Sequence, residues 1–135
     1  MSSVKPRNQG ATKAGEGRFV FDLGKLKSIK VGGAYSPAEG PVVEGERMQV
    51  GLITIPRGTA SQPHSHPNEQ WTYVLKGKAR VHVAGQPETM ASPGTLIYSP
   101  ANVVHSVEVL PEEDLVFFTV KDLSHGIVGK RAKPD

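Results

Sequence analysis

An all-β sandwich or barrel is the fold class this sequence predicts, and three observations predict it. Short segments rich in β-branched and aromatic residues recur along the chain, separated by Gly- and Pro-containing turns. No segment sustains the apolar period of an amphipathic helix. The 135-residue length suits one domain with one core, so helix is expected below roughly 15% of residues, against the usual third.

The elements follow from local texture. Residues 1–17 are rich in Gly, Lys, Ser and Asn, and are expected to be a disordered or arm-like segment. A barrel is expected over residues 18–122 and a C-terminal tail over 123–135. Phe19-Val20-Phe21 and Ile29-Lys30-Val31 read as short strands, and the stretch from Gly32 to Gly45 as loop, broken by Ser36-Pro37 and Gly40-Pro41. Arg47 to Ile55 reads as a strand that ends at Pro56 and Gly58. Further strands are expected at Gln70 to Leu75, Lys78 to Val83, Leu96-Ile97-Tyr98, Val103 to Leu110 and Leu115 to Val120. Ala84-Gly85 and Ser92-Pro93-Gly94 supply turns between them.

Charge and composition narrow the function classes. The net charge of +3 comes largely from basic residues near the two termini, with no aromatic-rich basic stripe, so nucleic-acid binding is not expected. Without cysteine there is no disulfide, thiolate ligand or cysteine nucleophile. The N-terminus lacks the apolar run of a secretory signal, and no stretch has the length of a membrane span, so a soluble cytoplasmic protein without membrane contact is expected.

The chemistry lies in a two-part histidine pattern. The first part runs Gly58, five residues, His64-Ser65-His66, three residues, Gln70, six residues, Gly77. The second runs Gly94, five residues, Pro100-Ala101-Asn102, two residues, His105. Side chains at i and i+2 on a strand share a face, so His64 and His66 can grip one ion from one side. His105 and the amide of Gln70 can close the set from neighbouring strands. Glu69 is the rival of Gln70: adjacent strand residues face opposite ways, and a bulge would reverse the choice. With Gln70 inward, Thr72 and Val74 line the pocket, and Trp71, Tyr73 and Leu75 face out. His82 reads as a surface histidine, and His125 as a tail histidine or part of a lid.

These residues resemble a single-domain cupin, whose first motif is Gly, five residues, His-x-His, three or four residues, Glu, six residues, Gly. Here Gln70 stands at the glutamate position. In the second motif Gly94, Pro100 and His105 match, while Asn102 replaces a glycine and Val109 an asparagine. Asn102 occupies a place that calls for positive φ, which asparagine tolerates. The resemblance covers about Arg47 to Val120 and implies a double-stranded β-helix, or jelly-roll barrel. It also implies one divalent transition ion per chain (Fe, Mn, Ni, Zn, Co or Cu) held by His64, His66, Gln70 and His105. Neutral donors leave the ion its full charge, favouring an anionic oxygen ligand. Some similar cupins with glutamine here are polyketide cyclases and an isomerase of unsaturated uronates. That isomerase carries an aspartate on its last strand, where this chain has Val116-Phe117-Phe118-Thr119.

Leu96, Tyr98, Val107 and Phe118 are expected beside Thr72 and Val74 in the pocket lining, with Tyr98 as the candidate for an additional catalytic polar group. Two function classes compete: a metalloenzyme acting on an enol- or carboxylate-type oxygen ligand by dioxygenase, isomerase, cyclase or lyase chemistry, and a non-catalytic small-ligand-binding or sensing protein. Trp71, Tyr73, Leu75 and the Phe19-Val20-Phe21 segment suggest a homodimer.

Overall fold

The computed structural model describes residues 6–125, 127 and 129–132. Residues 1–5 of the expected N-terminal segment, and 126, 128 and 133–135 of the tail, lie outside the described residues. The chain folds as a jelly roll of two sheets, with a single 3₁₀ turn, Leu23–Lys25, as the helical element among the described residues.

The larger sheet is built on the long central strand β5, Met48–Ile55. Its alternation of buried and part-exposed side chains sends Gln49, Gly51, Ile53 and Ile55 inward. It is flanked by β12, Leu115–Asp122, which pairs with β7, Gln70–Lys76, which pairs with β10, Leu96–Ser99. On the other side lie β4, Val42–Glu44, and β1, Thr12–Lys13, while β2, Ile29–Lys30, pairs with β3, Glu39–Gly40, beside β5. The smaller sheet runs β13, Lys130–Arg131; β6, His64–Ser65; β11, His105–Val109; β8, Ala79–Val83; and β9, Thr89–Ala91. Ile53, Ile55, Val74, Ala79, Val109 and Leu115 fill the space between the sheets.

Several expectations are corrected. Phe19-Val20-Phe21 forms no strand; Phe19 and Val20 are exposed and pair with no strand. The stretch 32–45 is not all loop, because β3 and β4 use the edge that β5 offers. Thr89–Ala91 is a strand too short to show any period. The expected arm lies against its own barrel from Pro6 onward. Thr12–Lys13 runs parallel to Val43–Glu44, and Asn8 is buried against Glu44. No helix among the described residues is long and apolar enough to cross a membrane.

Two backbone positions fix the connections that matter for the interior. Gly77, at φ 84°, turns the chain from β7 into β8 against the carbonyl of Asp114, leaving no room for a Cβ. Asn102 has φ 64°, the left-handed conformation expected at that position. Its N–H donates 2.7 Å to the His66 carbonyl, tying the second histidine segment to the first.

Candidate functional site

Strand parity and pairing bring His64, His66, Gln70 and His105 to one cavity between the sheets. His105 pairs directly with His64 across β11 and β6. Gln70 begins β7 with its side chain inward, and Thr72 and Val74 follow on the same face. Glu69 instead is exposed, and its carboxylate accepts the Tyr98 hydroxyl proton at 2.7 Å on the outer surface. The cavity holds about 110 Å³ of free space, several times the roughly 10–15 Å³ that one water needs. That is room for a small ligand.

The ring nitrogens are assigned by their partners. Nδ1 of His64 lies 2.7 Å from the Gln62 carbonyl, Nδ1 of His66 3.0 Å from that of Asn68, and Nδ1 of His105 2.9 Å from that of Val103. Each Nδ1 therefore carries the proton and donates it, leaving Nε2 as a lone pair. His66 shows the consequence. Its Nε2 is 3.0 Å from Gln70 Oε1, while Gln70 Nε2 donates 2.7 Å to the Thr119 hydroxyl, which donates to the Trp71 carbonyl. A neutral imidazole donates from one nitrogen only, so with Nδ1 donating to Asn68 the Nε2 of His66 is an acceptor facing the Gln70 carboxamide. The Nε2 lone pairs of the three rings are available to a cation, and a proton is disfavoured. Burial, then the charges of Lys121 and His105, push His66 down from 6.5 to about 4. The donor chemistry thus fits a metal ion.

The rings are not fully drawn together. His105 lies 4.4 Å from His64 and 4.9 Å from His66, centre to centre, but His64 and His66 are 6.4 Å apart. The ring of Tyr35 stacks on His64 at 4.0 Å and holds it aside. Among the described residues no group of three or more His, Cys, Asp or Glu side chains converges tightly enough to hold an ion in this conformation.

Part of the expected lining is corrected. Thr72, Val74 and Val107 face the cavity. Leu96 and Tyr98 face outward, Tyr98 packed on Trp71 at 4.6 Å, and Ile97 and Ser99 take the inner positions of β10. Tyr98 is therefore not a catalytic candidate in this cavity. Phe117 rather than Phe118 faces in, because β12 keeps Leu115, Phe117, Thr119 and Lys121 on one side. His82 is exposed beside Glu88 at 3.2 Å. Ile127 of the tail lines the cavity; His125 is exposed, with its ring on Ser124.

Residues that local pattern did not single out complete the site. Lys121 is 3% exposed and lines the cavity, with Nζ donating 2.6 Å to the Ile127 carbonyl. Burial lowers it from 10.5 to about 8, so it is largely an ammonium at neutral pH. Asn68 is fully buried and anchors the tail by donating to the carbonyls of Asp122 and His125, at 2.8 and 3.0 Å. The inward parity of β12 was the signal available for Lys121; Asn68 gave only a turn signal.

Acid should destabilise the metal-free protein. Burial foremost, then His105 and Lys121, pushes His64 to about 4, and burial lowers His105 as well. Depressed folded values mean that the unfolded chain binds more protons between 6.5 and about 4. Stability is therefore full above 6.5 and falls as pH drops through that window. The urea midpoint of chelator-treated protein should drop across this range; a flat profile would contradict the burial of these rings.

Comparison with known proteins agrees with this architecture. The Cupin domain family matches residues 51–121, more than half of the chain. An uncharacterized protein of Streptomyces coelicolor is 30% identical over 66 residues, 49% of this chain and 62% of the relative, so the match spans about three-fifths of that protein. KdgF from Halomonas sp. superposes with a TM-score of 0.64 at 20% identity, covering 78% of this chain and 94% of that one. A mutant of oxalate decarboxylase from Bacillus subtilis gives 0.55 at 27% identity, over 60% of this chain and 22% of that one. With the jelly roll and the histidine-lined interior already in place, the family match settles the assignment: this chain belongs to the cupin family.

Proposed function

We propose that this cupin is a metal-dependent small-molecule protein, and specifically a metalloenzyme acting on an anionic oxygen ligand. One observation carries the reading: three imidazoles line one cavity, each with Nδ1 donating to a backbone carbonyl and Nε2 left as a lone pair. His64, His66, Gln70 and His105 would hold one divalent ion per chain, which when bound supplies a Lewis acid for an enolate or carboxylate oxygen. The protein's own part is to fix the three Nδ1–H tautomers, to align Gln70 through Thr119, and to keep water from the apolar wall formed by Val74, Ile97 and Phe117. The oxalate decarboxylase likeness supports a small carboxylate as the substrate class without assigning that reaction.

Elemental analysis of protein purified without a histidine tag should give close to one transition ion per chain. Gln70→Glu adds a negative charge to the donor set. It should strengthen metal retention and weaken acetate binding in the same buffer, by roughly tenfold for one added charge in a dry cavity. Unchanged or tighter acetate binding would place Gln70 outside the coordination sphere.

The proposed partner is a second copy of the chain. Trp71, Tyr73, Leu75, Leu96 and Tyr98 are each 42–57% exposed on one outer face, and β10 ends its sheet. A contiguous aromatic face beside an open strand edge is the feature a dimer would cover. Sedimentation at micromolar concentration should show a dimer that Leu96→Lys shifts to 14.5 kDa monomers; wild-type monomers alone would count against it.

A further inference from the structure

We propose that Lys121 is the ligand-recognition group of this cavity, binding the carboxylate of a small acid whose second oxygen faces the three histidines. The inference rests on the anionic-ligand reading above and gives it a substrate class, a small carboxylic acid with a neighbouring oxygen. Lys121 occupies the last inward position of β12, two residues beyond Thr119, and is almost completely buried. An ammonium has three donors. Among the described residues one is used, by the Ile127 carbonyl, and none of the ion pairs includes Lys121. A charge so placed is costly unless a counter-charge arrives. Its field reaches all three rings, since it acts on His64, His66 and His105 alike. The histidines and Gln70 are neutral donors. The cavity therefore carries positive charge without a carboxylate of its own, and a bound anion is what balances it.

The residue that accepts from the ammonium is itself anchored. The N–H of Ile127 donates 2.7 Å to Asn8 Oδ1, while Lys121 takes the carbonyl of the same residue. Ile127 also lines the cavity, so the group that would meet the anion is joined to the tail. A cavity of about 110 Å³ admits an acid of a few heavy atoms beside these side chains, and not a long chain.

The test compares glycolate with its neutral isostere glycolamide by calorimetry, on wild type and on Lys121→Met, which keeps side-chain length and removes charge. Wild type should prefer glycolate, and K121M should bind it at least about tenfold more weakly, as expected for a lost charged hydrogen bond. Glycolamide affinity and metal content should be unchanged. Glycolate affinity of K121M within twofold of wild type overturns the proposal. If K121M does not fold, wild type stripped of metal decides. A residual preference for glycolate supports Lys121, and equal affinity for the two probes overturns it. Wild type that never carries metal yet shows the Lys121-dependent preference would overturn the metal reading alone.

Discussion

Replacing His105 with alanine is expected to abolish metal retention while leaving the barrel folded. His105 is the ring common to both close pairs, 4.4 Å from His64 and 4.9 Å from His66, whereas those two are 6.4 Å from each other. Without it the remaining rings share no third imidazole, and Gln70 alone is a weak neutral donor. Loss of even an outer partner of a ligand costs about 10–100-fold in metal affinity, so loss of a ligand should exceed roughly 100-fold. The measurement is metal per chain after gel filtration, together with circular dichroism. His82→Ala, on the outer face of β8 beside Glu88, is the control and should keep full metal. A His105→Ala protein holding one ion per chain at wild-type affinity would remove His105 from the site.

The histidine constellation was legible because it depends on spacing and parity, which are local. His64 and His66 fall two apart, and β7 alternates cleanly from Gln70 inward to Leu75 outward. Parity was not legible where both faces of a strand are apolar. In β10, Leu96, Ile97 and Tyr98 follow one another because the outer face carries Leu96 and Tyr98 against Trp71 and Tyr73, so alternation is hidden. The run from Leu115 to Phe118 has the same ambiguity, being apolar at every position, so the pattern does not distinguish Phe117 from Phe118 as the inward ring. Lys121 follows from the same parity once Thr119 is known to face in. The docking of the tail could not be read at all: Ile127 meets Asn8 across 119 positions of sequence, and no local pattern encodes that contact. Polar residues near a terminus read as an unstructured arm, because their partners lie in other strands.

That distant network supplies the second large effect. Glu44→Ala should destabilise the protein by about 3–5 kcal/mol, because it leaves buried donors without an acceptor. Glu44 is fully buried, and its carboxylate accepts from the N–H groups of Arg7 and Asn8 at 2.7 and 2.8 Å and from Asn8 Nδ2 at 2.6 Å. The same Asn8 amide donates 2.8 Å to Gln49 and accepts from Ile127 N, and Arg7 reaches the Leu123 carbonyl. One carboxylate thereby holds Arg7 and Asn8, and through Asn8 the tail residue Ile127. Its removal should lower the melting temperature by more than about 10 °C for a domain of this size. Amide exchange should rise at Asn8 and Ile127 well before it rises in the central strands β5 and β12, since the loss begins where the two termini meet. Glu44→Gln, which keeps one acceptor oxygen, should cost less than half as much. If Glu44→Ala melts within 2–3 °C of wild type (well under about 1 kcal/mol), or if exchange at Ile127 is unchanged, then the N-terminal segment does not hold the tail, which is anchored instead by Asn68, Lys121 and the pairing of β13 with β6.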